Sequence, residues 1–305
     1  MTSKTLIVIV GPTAIGKTAL SIAFAKAYQT EILSCDSRQF FKEMTIGTAV
    51  PEPEELTAAP HHFIQNLSIH DSYSVGEFER DAMSLLDQLF NKQDIVVMVG
   101  GSALYEKAVT HGLDDLPEVP KEINENVEQL FEEKGIKALQ EELEKLDPLY
   151  YKKVDLHNPR RLMRAIAICR ATGKTFTELR SGSKKKRNFK LIKIGLEAPR
   201  EELYERINKR VDLMIKRGLI EEAQALLPFH DLVSLKTVGY QELMPYFRKE
   251  YDLNEAIRLI KRNSRRFAKR QMTWYRKDDT VLWFPYKTRH TDIVQRVQEK
   301  LMDGN

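Results

Sequence analysis

Residues 11–18, GPTAIGKT, read G-x-x-x-x-G-K-T. The two glycines let the backbone approach an anion closely, and the run ends on a lysine and a hydroxyl. Successive N–H groups and the N-terminus of a following helix are the expected hold on phosphate oxygens. Lys17 would neutralise phosphate charge, and the Thr18 hydroxyl is the expected ligand for Mg²⁺. A glycine-rich turn without a ligand is the bland alternative. It is disfavoured because the pattern lies between a buried strand and a helix, the context the chemistry requires.

A second chemical stretch follows in EILSCDSRQF, residues 31–40. Its strand-like start delivers Asp36, Ser37, Arg38 and Gln39 beside the phosphate loop. A phosphate-hydrolysing enzyme normally places a metal-holding carboxylate at the end of a nearby strand. The third strand, DIVVMVGG, ends in glycines instead. Asp36 therefore either assists Mg²⁺ or acts as a base on an acceptor, with a turn or helix cap as the structural alternative. Strand ends on the ligand side of a parallel sheet gather at one edge, so Asp36 is expected to face whatever is bonded to the phosphate.

The elements that must position these residues alternate. TLIVIV (5–10) is continuously apolar and β-branched, as a strand buried on both faces reads. Helical spacing follows in ALSIAFAKAY, a strand in EILSC, an amphipathic helix at 74–90, and a strand, Gly-Gly turn and helix in DIVVMVGGSALY. Strand and helix in alternation predict a doubly wound parallel sheet of α/β class. Near HGLDDLPEVP the texture becomes helical and highly charged, and KLIKIGLEA returns as a strand. One P-loop core over 1–117 and 188–305 is expected, interrupted by a helical insertion domain over 118–187. RSGSKKKRNF (180–189) reads as a flexible basic connector.

The chain has 305 residues and a net charge of only +4. Cys35 and Cys169 have no paired spacing, which suits a reducing compartment and fits neither a disulfide framework nor a zinc site. The apolar run near the N-terminus is too short for a signal peptide or a membrane span, and no later stretch is long enough. A cytoplasmic monomer without membrane contact is expected. His61 and His62 are adjacent on an extended segment, so they point opposite ways and read as structural.

Charge distribution says more than net charge. Between Lys261 and Lys277 lie eight basic residues and no acid. Arg262, Arg265 or Arg266, and Lys269 recur at helical spacing and form one stripe, the electrostatic footprint of a nucleic-acid backbone. Phe267, Trp274 and Tyr275 interleave. Trp274 reads more readily as core than as a base-stacking surface. Arg160, Arg161 and Arg164 share a helix face by the same spacing.

Taken in order, GPTAIGKT, DSRQF, IGTAVPEPEE with PHHFI, YSVGEFERDA, VGGSALY, NPRRLMRAI, TVGYQEL and AKRQMTWYR resemble the tRNA dimethylallyltransferase (isopentenyltransferase) family across most of the chain. Three departures stand out. Ser102 replaces the usual threonine of the G-G-T-x-L-Y motif, Val50 the usual lysine of G-T-A-K-P, and Ser264 the usual threonine ahead of A-K-R-Q. The resemblance implies a P-loop NTPase-like fold and transfer of a dimethylallyl group from dimethylallyl diphosphate to the N6 amine of the adenosine 3′ of the anticodon. Diphosphate would sit on Gly11, Pro12, Thr13, Ala14, Ile15, Gly16, Lys17 and Thr18, with Mg²⁺ on Thr18. Arg210 would add a second cation, with Arg206 one turn earlier as the substitute. Lys17, Thr18, Asp36 and Arg210 become the catalytic set, Asp36 as base, and Gln39 reads the adenine edge. The anticodon stem-loop of tRNA is expected on Asp36, Ser37, Arg38, Gln39, Ser102, Arg160, Arg161, Leu162, Met163, Arg164, Arg265, Lys269 and Arg270. Tyr105 either lines the channel or belongs to the core.

Two other classes compete. A P-loop small-molecule or nucleoside kinase shares the phosphate loop and the carboxylate but leaves the basic tract unexplained. A non-catalytic RNA-binding module switched by nucleotide explains the tract but not Asp36 with Gln39. Whether ATP also occupies the loop stays open at this level.

Overall fold

The computed structural model describes residues 4–180, 182 and 185–303. Six strands form one sheet: β1 (Thr5–Val10), β2 (Ile32–Ser34), β3 (His61–His62), β4 (Ile95–Val99), β5 (Lys190–Glu197) and β6 (Val281–Pro285). Their order is β3-β2-β4-β1-β5-β6, and every neighbouring pair is parallel. β1 is central, bonded to β4 on one side and β5 on the other. That position explains its unbroken apolar run. Ile7 and Ile9 enter one core layer, Leu6, Val8 and Val10 the other, so both faces are covered.

Helices α1 (Lys17–Tyr28), α2 (Pro53–Ala58), α3 (Val75–Phe90) and α4 (Ala103–His111) connect the first strands. α3 begins at a reciprocal capping box of Ser74 and Glu77, which satisfies two orphan N–H groups. Its Phe78, Ala82 and Leu86 cover the layer of Leu6 and Val8, while Leu20 and Phe24 of α1 cover that of Ile7 and Ile9. The fold is therefore the parallel α/β sheet expected from the alternation, and the P-loop NTPase-like fold that the resemblance implies.

A separate compact unit spans Gly112–Lys185. It holds α5 (Lys121–Leu146), α6 (Pro148–Tyr151), α7 (Pro159–Thr172) and α8 (Phe176–Leu179) around its own core. The division falls at Gly112 rather than after Pro117, because Leu116 and Val119 pack into that helical core. The run 121–146 is two helices joined at Gly135, whose φ of 71° interrupts the helical backbone. Residues 181, 183 and 184 of the basic connector lie outside the described residues.

After β5 come α9 (Arg200–Lys216), α10 (Leu219–Ala225), α11 (Tyr240–Phe247), α12 (Leu253–Tyr275) and α13 (His290–Asp303). Two strands exceed the sequence expectation. β3 has only two residues, both histidine, and carries no apolar run; β6 does carry one, Val281 to Phe284, but lies at the sheet edge with a single buried residue. No helix among the described residues is long and apolar enough to cross a membrane.

β5 carries a buried cation. Lys193, 4% exposed, pairs with Glu106 of α4 and with Asp278 ahead of β6, at 2.8 Å each. The paired carboxylates hold its pKa up despite burial. Removing one partner of such a pair leaves an uncompensated buried charge. Lys193→Met is expected to lose about 3–5 kcal/mol of stability in urea unfolding, and adding Glu106→Gln to recover part of it. A loss within about 0.5 kcal/mol, the range for plain surface changes, would refute the role of the pair.

Candidate active site

The chain leaves β1 at Gly11, where the backbone turns with φ +141°. A side chain there would place Cβ 2.8 Å from the Leu196 carbonyl of β5. Only glycine permits that approach. The loop ends at Gly16, the left-handed cap of α1, and Lys17 opens the helix. The Lys17 ammonium donates to the carbonyls of Gly11 and Pro12, at 3.1 and 2.8 Å. One loop N–H is already spoken for: Thr13 N donates to Oε1 of Gln271, 2.8 Å away.

Arg210 of α9 reaches the same loop, its Nη1 3.2 Å from Thr13 Oγ1. Arg206, one turn earlier, donates from Nε to the Ala14 carbonyl at 2.9 Å and lies over the Tyr286 ring at 4.8 Å. Burial lowers the pKa of both Lys17 and Arg210. For Lys17 the neighbouring Arg210 adds to that pressure, Asp36 opposes it, and the result is a value of about 8. Asp36 and Glu55 oppose the fall at Arg210.

Asp36 stands just past β2. Its Oδ1 accepts from the Arg38 N–H at 3.1 Å, an Asx-type turn that sets the carboxylate's direction. Ser37 and Ser102 join through their hydroxyls at 2.9 Å, tying the β2 and β4 ends together. The Arg38 guanidinium donates to the carbonyls of Val233 and Ser234 at 3.0 Å each. Gln39 is internally engaged. Its Nε2 donates to the Thr48 and Ala49 carbonyls, at 3.3 and 2.8 Å, and its Oε1 accepts from Ser34 at 3.2 Å. In this structure the amide positions the segment after residue 44 instead of presenting free N–H groups to a base.

Two cavities meet here. One of about 640 Å³ is lined by Gly16, Lys17, Thr18, Gln39, Arg206, Thr45, Ile46 and the segment 48–53, among others. Another of about 360 Å³ is lined by Ser37, Arg38, Ser102, Lys236, Phe267 and Arg270, among others. Thr13, Ala14, Asp36, Thr48, Arg210 and Met214 line both.

The nucleic-acid expectations divide. On α12, Arg266, Lys269 and Arg270 are exposed, and Arg270 lies 5.7 Å from the Phe267 ring centre. Arg265 turns inward, donating to Asn208 at 2.6 Å, so it pins α12 to α9. Trp274 is 44% exposed, and its neighbour Tyr275 takes the core position. Tyr105 is also core-packed, 5.2 Å from the Phe78 ring and 5.6 Å from Phe40. On α7, capped by Asn158, Arg160, Arg161 and Arg164 are exposed. Leu162 has 0% exposure and Met163 packs against the same core, because both fall on the helix face turned from those arginines. His61 and His62 are bonded to the Ala59 carbonyl and to Glu31, in keeping with a structural role.

Gln271 escaped sequence reasoning. It is 4% exposed and bridges the phosphate loop to the Gly101 carbonyl, 2.8 Å from its Nε2. Its only signal was its place within AKRQ.

A family model described as IPP transferase matches residues 39–278. The chain belongs to the IPP transferase family. Among the family's curated members, it is 57% identical over 299 residues to the tRNA dimethylallyltransferase of Christiangramia forsetii, covering 98% of this chain and 99% of that one. Identity to the Flavobacterium psychrophilum tRNA dimethylallyltransferase is 51% over 302 residues, covering 97% and 98%. The solved tRNA isopentenylpyrophosphate transferase of Bacillus halodurans superposes with TM-score 0.74 at 35% identity, covering 98% and 97%. A eukaryotic dimethylallyltransferase solved acting on tRNA shares the fold, with TM-score 0.80 at 24% identity, covering 94% and 75%.

The Lys17 environment sets a pH dependence. Its pKa of about 8 rises when an anion binds, so the complex holds a proton that the free protein lacks above that pH. Affinity for inorganic diphosphate at this loop is therefore expected to be flat, in this group's contribution, below about pH 8 and to fall above it. Calorimetry at about pH 9 in buffers of different ionisation heat is expected to show proton uptake, absent in Lys17→Met. Uptake unchanged in that variant would assign the proton elsewhere.

Proposed function

We propose that this chain transfers a dimethylallyl group from dimethylallyl diphosphate to the N6 amine of the adenosine 3′ of the anticodon in tRNA, releasing diphosphate. The observation that carries this reading is Asp36 at the junction of two cavities, with Lys17 and Arg210 beside it. The relatives' name, tRNA dimethylallyltransferase, supports dimethylallyl transfer to tRNA.

Diphosphate lies in the larger cavity, on the free N–H groups of the loop, with Lys17 and Arg210 against the charge that grows as the C–O bond breaks. Arg210 is the better candidate than Arg206, whose Nε is bonded to Ala14 and whose guanidinium is stacked on Tyr286. Donors suited to Mg²⁺ are present: the Thr18 hydroxyl and the Asp36 carboxylate line the same cavity. No cluster of three His, Cys, Asp or Glu residues among the described residues suits a metal held by protein alone. A cation that needs few protein oxygens would fit such a sparse set. When bound, Mg²⁺ supplies charge neutralisation on the leaving diphosphate.

The adenosine, flipped from its stack, enters the smaller cavity between Ser37, Ser102 and Phe267. Its amine is a poor nucleophile because the lone pair is delocalised into the ring. Asp36 takes the amine proton as the C–N bond forms. Exposed Arg266, Lys269 and Arg270 face the RNA backbone, and the helical unit adds Arg160, Arg161 and Arg164. In this reading the chain works as a cytoplasmic monomer.

The test is a transfer assay with labelled dimethylallyl diphosphate, Mg²⁺ and unmodified tRNA. Wild type is expected to label the tRNA, and Asp36→Ala to lose about 10²–10⁴-fold in rate while still binding tRNA. Arg210→Gln is expected to lose more than Arg206→Gln. No label from wild type, with ATP consumed on a small acceptor, would replace this reaction with a kinase.

A further inference from the structure

One part of the boundary between the two cavities, beside the phosphate loop, Asp36 and α9, is a short segment. Thr45 and Ile46 face the larger cavity, Gly47 the smaller, and Thr48 both. Such a segment has few side chains with which to hold itself, so its backbone groups must find partners.

Those partners are supplied from far along the chain by Glu222 of α10. Its Oε2 accepts from the N–H groups of Thr45 and Ile46 at 3.0 and 2.8 Å, and its Oε1 from Gly47 N–H at 2.9 Å. The Tyr240 hydroxyl donates to the same Oε1 at 2.6 Å. Tyr240 is fully buried, and burial together with Glu222 pushes its pKa up, so it remains a donor. Its ring lies where a Cβ on residue 47 would come within 2.5 Å, which is why glycine stands there. On the other edge, Gln39 holds the carbonyls of Thr48 and Ala49. Three successive N–H groups converging on one oxyanion form a nest, and here the anion is internal.

We infer that Glu222 is a positioning residue for the transfer: it holds the partition that lets the prenyl carbon meet the acceptor and not water. The inference rests on the reaction proposed above. An allylic diphosphate has two fates once its C–O bond weakens. The amine attacks C1 and loses a proton, or a water oxygen bonds to C1, its proton leaves to solvent, and the alcohol forms. In both, diphosphate departs with the electron pair. Removing the carboxylate leaves three backbone N–H groups whose remaining partner is water, recruited into the wall shared by both cavities. A purely structural role would lower stability and total rate without changing the division between the two fates.

The experiment measures dimethylallyl alcohol released per prenylated tRNA, with diphosphate as the sum. Glu222→Gln keeps the shape but sets an NH₂ donor against donors, and Glu222→Ala removes the group. Both are expected to raise that ratio at least about tenfold, as displacement of a positioning element does. Tyr240→Phe keeps the ring over Gly47 and deletes one hydrogen bond, so a smaller rise is expected; it carries the test if the Glu222 variants fail to fold. A ratio equal to wild type in Glu222→Gln and Tyr240→Phe, whatever the loss of stability, would overturn the inference. If wild type prenylates no tRNA, the proposed reaction falls. The partition would then fall with it only if Glu222→Gln hydrolyses dimethylallyl diphosphate no faster than wild type.

Discussion

Two cations share one cavity wall. Lys17 and Arg210 both lose basicity to burial, and Arg210 depresses Lys17 further. Left to themselves, such groups would turn to water. The fold prevents this by tethering each to the phosphate loop: Lys17 to the Gly11 and Pro12 carbonyls, Arg210 to the Thr13 hydroxyl. Positive charge held in place before the ligand arrives needs no reorganisation during reaction, and that preorganisation is what makes such a site effective on a leaving anion. The cavity also contains its own counterweight, Asp36, which raises the basicity of both cations.

The sheet exists in service of that arrangement. β1 is buried on both faces and bonded on both edges, so the loop at its end starts from an immobile base. Gly11 then brings the loop against β5 more closely than any side chain would allow. α9 returns behind the loop and delivers Arg206 and Arg210, one turn apart, to two consecutive loop residues.

What was legible in the sequence was local. The phosphate loop is contiguous, β1 advertises its burial through composition, and Asp36 follows a strand in plain view. What escaped is made of long-range pairs. Gln271 meets Thr13 across 258 positions and Glu222 meets Gly47 across 175; no local pattern marks either partner. Resemblance and helical spacing also left faces to be decided by packing. Within the tRNA-contact run expected at 160–164, Leu162 is core because its direction on α7 opposes that of its charged neighbours. In the basic tract, Arg265 and Arg266 are adjacent, yet one is bonded to Asn208 and the other is exposed. Trp274 and Tyr275 divide the same way, with the tryptophan outside. Helical spacing narrows the choice of face but does not decide it, because the partner helix lies elsewhere in the chain.

Helix α12 joins the two halves of the chemistry. Its outer face carries Arg266, Lys269 and Arg270, a surface suited to a polyanion. Its inner face carries Gln271, which withdraws the Thr13 N–H from the phosphate loop and fixes that loop to Gly101. The amide does this without adding charge, which matters where two cations already crowd one anion. A carboxylate there would neutralise the site from within, and a lysine would worsen the crowding. Glu222 faces only donors, three backbone N–H groups and the Tyr240 hydroxyl. Neutral and charged supports are thus distributed by what each one faces: an amide against the cationic loop, a carboxylate against a nest of donors.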